Sequence, residues 1–144
     1  FKLKWAISKE ETELYINKDE KAKRLFLDEL KKVSLDNMKM DEKPSYIDKI
    51  EWFFTTKELC EVIESLKGQE ALSINDSSLI NKKWSSIGFK GGSEMGVLNL
   101  TYIFTKNTDY YSMSITINNF DKDIEKNNLF SIVGKISDYI YDNL

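Results

Sequence analysis

The sequence predicts an α+β fold: helices in the first half, a three-stranded antiparallel meander over residues 84–118, and a closing helix packed on the sheet. Three changes of period carry this reading. Apolar residues recur at helical spacing as far as Leu66. The period then becomes two, with Leu98, Leu100, Tyr102 and Phe104 alternating with Asn99, Thr101 and Ile103. It returns to helical at the end, through Leu129, Ile132, Val133, Ile136 and Ile140.

The elements follow in order. In residues 1–18, Phe1, Leu3, Trp5 and Ile7 alternate, while Leu3, Ala6 and Ile7 fit one helical face; the reading favours a helix end and then a short polar connection. Asp19 is the expected N-cap of a helix whose apolar positions are Ala22, Leu25, Phe26, Leu30 and Val33. Residues 34–50 carry Pro44, the only proline, among polar residues and read as a surface connection.

A second helix should follow Trp52-Phe53-Phe54. Thr55 or Thr56 caps it, and Glu58 or Glu61 suits its first turn. Leu59, Val62, Ile63 and Leu66 form its expected buried stripe, and Gly68 its stop. One more short helical turn fits residues 69–83. The first strand lies in 84–93 and the second contains Leu98–Phe104. Lys106-Asn107-Thr108-Asp109 is a turn. In the third strand Tyr111, Met113, Ile115 and Ile117 alternate with Tyr110, Ser112, Ser114 and Thr116. Short connections between sequential strands imply antiparallel pairing, and the final helix should cross one face of the sheet. Trp5, Trp52 and Trp84 are expected core anchors. Asn99 and Thr101 share what reads as the polar face of a strand.

Composition bounds the chemistry. The 144 residues suit a single domain, and 41% hydrophobic content is enough for a core. A net charge of −3 argues against nucleic acid as a partner, and no apolar run reaches the roughly 18 residues of a membrane span. The chain has no histidine, so it can hold neither a Ser-His-Asp or Cys-His arrangement nor a His-based zinc site. Cys60, the only cysteine, can form no internal disulfide; Leu59, Val62 and Ile63 around it place it in the expected core. A hydrolase of this composition needs lysine or a carboxylate as its base. Lysine, asparagine and isoleucine abound and Arg24 is the only arginine, the bias of an AT-rich bacterial genome. The chain opens on Phe1, and the expectation is a piece of a longer protein.

Lys90-Gly91-Gly92-Ser93 is the stretch most suited to chemistry. Two glycines without Cβ atoms let a ligand approach the backbone, and the lysine places a positive charge beside them. The run Trp84-Ser85-Ser86-Ile87-Gly88-Phe89-Lys90-Gly91-Gly92-Ser93-Glu94-Met95-Gly96-Val97-Leu98-Asn99-Leu100-Thr101-Tyr102 resembles the third-motif strand and following strand of β-lactamase-like serine hydrolases, the superfamily of class A β-lactamases and penicillin-binding proteins. Ile50–Cys60 resembles the segment that opens a helix before that strand, and Phe1-Lys2-Leu3-Lys4 another stretch of the same group. The resemblance covers most of the chain but only the C-terminal part of the family's catalytic domain.

The resemblance implies roles residue by residue. Lys90 matches the motif lysine, which supplies positive potential and helps proton transfer among active-site hydroxyls. Ser93 matches the strand residue whose backbone N–H is one of two oxyanion-hole donors. Gly91 and Gly92 line the substrate. Gly91 departs from the family pattern: a Thr or Ser there usually binds the carboxylate of a β-lactam or peptide, so an ester or amide other than a β-lactam is the expected substrate.

The family's nucleophile motif, Ser-x-x-Lys, is missing, since no serine here has lysine three residues on. Tyr141-Asp142-Asn143 has a Tyr-x-Asn form but follows the motif strand instead of preceding it, and reads as chance. Glu13-Leu14-Tyr15-Ile16-Asn17 superficially matches a class A loop motif and reads as a surface helix.

The expectation is therefore the C-terminal part of an acyl-enzyme hydrolase, inactive alone. Its full-length parent takes a small-molecule or peptide substrate, with no metal or organic cofactor implied. A secreted or cell-envelope location follows from the family. An uncovered sheet predicts a homodimer through the sheet. The rival reading is a non-catalytic binding or protein-interaction domain.

Overall fold

A Ser-x-x-Glu capping box starts the first substantial helix. In the computed structural model, which describes residues 2–36, 38–74 and 83–144, a four-residue α1 (Lys2–Trp5) is followed by α2 (Lys9–Ile16). Ser8 Oγ accepts the Glu11 N–H at 3.2 Å, and the Glu11 carboxylate accepts the Ser8 N–H at 2.9 Å. Each satisfies a donor that the first helical turn leaves unpaired. A helix thus stands where a polar connection was expected, and Ser8-x-x-Glu11 is the signal that reading passed over.

α3 (Glu20–Leu30) begins at the expected cap, with Asp19 accepting the Ala22 N–H at 2.8 Å. Its other end is closed by Lys2, whose ammonium donates to Leu30 O, Lys31 O and Val33 O at 3.3, 2.9 and 2.6 Å. A cation on terminal carbonyls also suits the helix dipole. Thr12 is buried and donates to Leu3 O at 2.7 Å, tying α2 to α1. The α3 stripe is narrower than its spacing suggested: Leu30 is buried, but Leu25 is exposed. These helices belong to a compact unit that runs to Trp52 and includes Phe120–Lys122.

The second unit, Phe53–Asn119 with Asp123–Leu144, is the α+β part. It contains α4 (Thr56–Ser65), a 3-10 turn (Glu70–Leu72), β1 (Ser86–Glu94), β2 (Val97–Lys106), β3 (Asp109–Asn118) and α5 (Lys126–Asn143). The sheet order is β1-β2-β3, both pairs antiparallel, the meander that the sequence predicted. Two-residue turns join the strands. Gly96 takes a φ of 77° in the first and Asn107 a φ of 58° in the second, the residue types that enter this region at least cost.

Period two gives the sheet unlike faces. Leu98, Leu100, Tyr102 and Phe104 point to one side and pack with Trp84 and with Leu129 and Val133 of α5. Trp84 stacks on Phe104 at 4.7 Å, meets Tyr141 edge-on at 5.0 Å, and donates its indole N–H to Ser137 Oγ at 2.9 Å. On the other side Ile103 packs with Ile63 of α4 and Leu72 of the 3-10 turn.

Several core expectations are corrected. Trp84 is a core anchor, but Trp52 is 88% exposed. In α4 Ile63 is buried, whereas Val62 and Leu66 are exposed and Cys60 is only half-buried. In α5 the buried line is Leu129, Val133 and Ser137, while Ile132 and Ile136 are exposed. The helix is turned so that Ser137 reaches the Trp84 indole, which satisfies both polar groups in a dry core. Among the described residues no helix is long and apolar enough to cross a membrane.

Candidate functional site

The direction of each backbone group in β1 follows from two hydrogen bonds outside the strand ladders. The Asn119 N–H donates to Gly96 O at 2.7 Å, so Gly96 bonds toward β3. Backbone groups of successive strand residues point to opposite sides, so Val97, Asn99, Thr101, Ile103 and Thr105 bond toward β1. Ser85 N–H donating to Thr105 O at 2.8 Å agrees with this. Their β1 partners Glu94, Gly92, Lys90, Gly88 and Ser86 therefore face inward. Ser93, Gly91, Phe89 and Ile87 turn their N–H and C=O groups away from β2, along the outer edge of the sheet. Among the described residues β1 has only β2 as a neighbouring strand.

Side chains alternate on the same register. Lys90 lies opposite Thr101 and Gly92 opposite Asn99, on the face that carries Ile103; Phe89 lies on the opposite, α5-covered face. Lys90, Gly92 and Ser93 are exposed. The Lys90 ammonium donates to Gly91 O, a carbonyl of the outer edge. Beside it a polar network spans β2 and β3. Asn99 Nδ2 donates to Thr116 Oγ1 at 2.8 Å and to Ser114 Oγ at 3.2 Å, and the Thr101 hydroxyl donates to Asn99 Oδ1 at 2.9 Å. Thr101 is buried, and these bonds satisfy it. Asn99 and Thr101 form the polar face expected of them, with a fixed geometry.

The glycines differ in what requires them. A Cβ on Gly92 would meet nothing within 4 Å, so the space above the strand is open there. A Cβ on Gly91 would lie 2.9 Å from the end of the Phe89 ring, which leans beneath it against Tyr102. A Cβ on Gly88 would lie 2.7 Å from Ile103 Cγ2 and 3.2 Å from Leu72 Cβ, so Gly88 lets the 3-10 turn close onto the sheet. A cleft of about 220 Å³ opens there, lined by Gly68, Leu72, Gly88, Ile103 and Tyr110, with Lys67 at its rim over the Tyr110 ring at 4.8 Å. Hydrophobic periodicity does not reveal this concavity; Gly88 between apolar neighbours is its one sequence signal.

The segments of secondary resemblance have local roles. Asn17 Nδ2 donates to Glu13 O at 2.9 Å and closes α2. Asp142 pairs with Lys83 at 3.0 Å, which raises the Lys83 pKa through that hydrogen bond. Lys106 donates to Tyr141 O at 2.8 Å, with its ammonium 4.3 Å from the Tyr141 ring centre. Two lysines therefore hold the end of α5.

No family model matches the chain, no curated protein matches it, and no solved structure matches it. The functional reading rests on the geometry of β1 and on the sequence resemblance.

Proposed function

We propose that this chain is the C-terminal part of a β-lactamase-like serine hydrolase, supplying a lysine and one oxyanion-hole donor to a site whose nucleophile lies elsewhere in the full-length protein. The outward direction of the Ser93 N–H carries this reading. A donor for a tetrahedral oxyanion must be rigid, and it must not already be spent on the sheet ladder. Ser93 meets both conditions, because a strand fixes its backbone and its N–H points off the edge. Lys90 is three residues upstream on the same edge strand, exposed, with its ammonium already at the edge through Gly91 O.

The roles divide simply. The Ser93 N–H stabilises charge as it develops on the substrate oxygen. Lys90 lends positive potential and assists proton movement among hydroxyls. Gly91 and Gly92 let the substrate lie close to the strand. Gly91 offers no hydroxyl to bind a β-lactam carboxylate, and a side chain there would have to displace the end of the Phe89 ring, which favours another amide or an ester. The second reading, a non-catalytic binding domain, draws on the same free edge, since a strand with unpaired groups can hold an extended peptide.

The test is acylation of the full-length parent by an activated acyl ester, with Lys90→Ala beside it. The reading expects a parental Ser-x-x-Lys serine to be acylated, Lys90→Ala to slow this by roughly 10²-fold or more, and the present chain alone to give no turnover. An unchanged acylation rate in Lys90→Ala removes the site assignment and leaves the binding domain.

A further inference from the structure

We infer that the outer edge of β1 pairs with the β1 edge of a second copy of this chain, antiparallel, with Gly92 on the two-fold axis. The inference rests on edge geometry and charge, and is independent of the hydrolase reading. Ile87, Phe89, Gly91 and Ser93 offer a row of outward N–H and C=O groups. The strand has nine residues and no proline, and such an edge is a template for another strand.

Charge selects the register. Lys90 and Glu94 stand on the same face of β1 with Gly92 midway between them. With Gly92 on the two-fold axis, Lys90 lies directly across from Glu94 of the second copy, and the reverse pair forms by symmetry. Gly91 then faces the second copy's Ser93 as a hydrogen-bonded pair, so both sets of outward groups are satisfied. A register that centres on Lys90 or on Glu94 places like charges opposite each other. Gly92 contributes by its size, because among the described residues a Cβ there would meet nothing within 4 Å.

Lys90 links the single and paired states. In the single chain its ammonium covers Gly91 O. In the pair that carbonyl takes the second copy's Ser93 N–H, and Lys90 moves to the facing carboxylate. Pairing also covers the Ser93 N–H, so the pair and an occupied oxyanion site exclude each other.

The test uses the intact chain in light scattering and sedimentation across a concentration series. A dimer is expected. Lys90→Glu replaces two attractions with two repulsions and should weaken it at least about tenfold. The double variant Lys90→Glu/Glu94→Lys restores the pairs and should recover the dimer, which guards against a folding artefact. In a Cys60→Ala background, Gly92→Cys should cross-link readily, since facing residues of a non-hydrogen-bonded pair have Cα atoms about 4.5 Å apart, within disulfide reach. Asn118→Cys, at the end of β3 on the far side of the sheet, should not. A monomer at every concentration, a dimer indifferent to Lys90→Glu, or cross-linking at Asn118 in place of Gly92 overturns the inference. Binding of an added extended peptide by a persistently monomeric chain assigns the edge to that partner instead.

Discussion

The two faces of the sheet are built from the same three strands and do opposite work. On the α5 side Leu98, Leu100, Tyr102 and Phe104 meet Trp84, Leu129 and Val133, and the polar contact from Trp84 to Ser137 is buried and paired. On the other side, among the described residues, α4 and the 3-10 turn cover the region around Ile103, and beside it lie a ladder of hydroxyls and amides, Lys90 and the open space over Gly92. Stability is concentrated on the first face and chemical access on the second. Damage to the first should therefore cost folding, and changes on the second should cost less folding and more function.

The strongest test of that division is Trp84→Ala. It removes the stack on Phe104, the edge contact with Tyr141 and the partner of the Ser137 hydroxyl. Denaturant unfolding should show a loss of about 3–5 kcal/mol. Trp84→Phe keeps a ring but strands Ser137, and should cost about 1–3 kcal/mol. If Trp84→Ala is nearly neutral, the α5 face is not the stabilising one.

A smaller effect is expected across the sheet. Gly88→Ala drives a methyl group into Ile103 and Leu72 and should destabilise by about 1–3 kcal/mol through overpacking. Gly92→Ala, two residues on, enters open space and should change unfolding little. Equal costs at the two glycines would erase the distinction between the covered and open parts of this face.

The smallest effect concerns pH at the start of α4. Glu58 accepts the Thr55 N–H at 2.7 Å, and its pKa is lowered first by that backbone bond and then by the Thr55 hydroxyl bond. A carboxylate whose folded pKa lies below its unfolded value stabilises the fold above the unfolded pKa, and this contribution fades as pH falls through the folded pKa. Hydrogen-exchange protection in the first turn of α4, corrected for the intrinsic rate at each pH, should therefore fall in acid, and Glu58→Gln should flatten that dependence. The same acidification should leave amides of the Trp84 face protected. Loss of protection on both together would mean that the cap and the core open as one unit.

Much of this molecule is legible in the amino-acid order. The alternation from Val97 to Phe104 sets which side chains share a face, the Asn107 turn brings β3 back, and Asp19 and Thr55 mark helix starts, because each depends on residues near in sequence. Lys90-Gly91-Gly92-Ser93 was likewise legible as part of the first strand. Helix orientation was not. Helical spacing says which residues lie on one side, but Val62, Leu66, Ile132 and Ile136 ended on exposed sides because the strands opposite offered better partners, Ile103 to Ile63 and the Trp84 indole to Ser137.

The predicted meander already puts β1 at an edge, but tertiary structure alone decided which of its backbone groups turn outward. The backbone of Ser93 is turned outward because β2 uses its alternate groups on β1 and β3, a consequence of strand order that no local pattern states. Sequence determined the strands, the turns and the motif. Folding determined which backbone groups the sheet consumes and which it leaves free, because that depends on the neighbours a strand acquires.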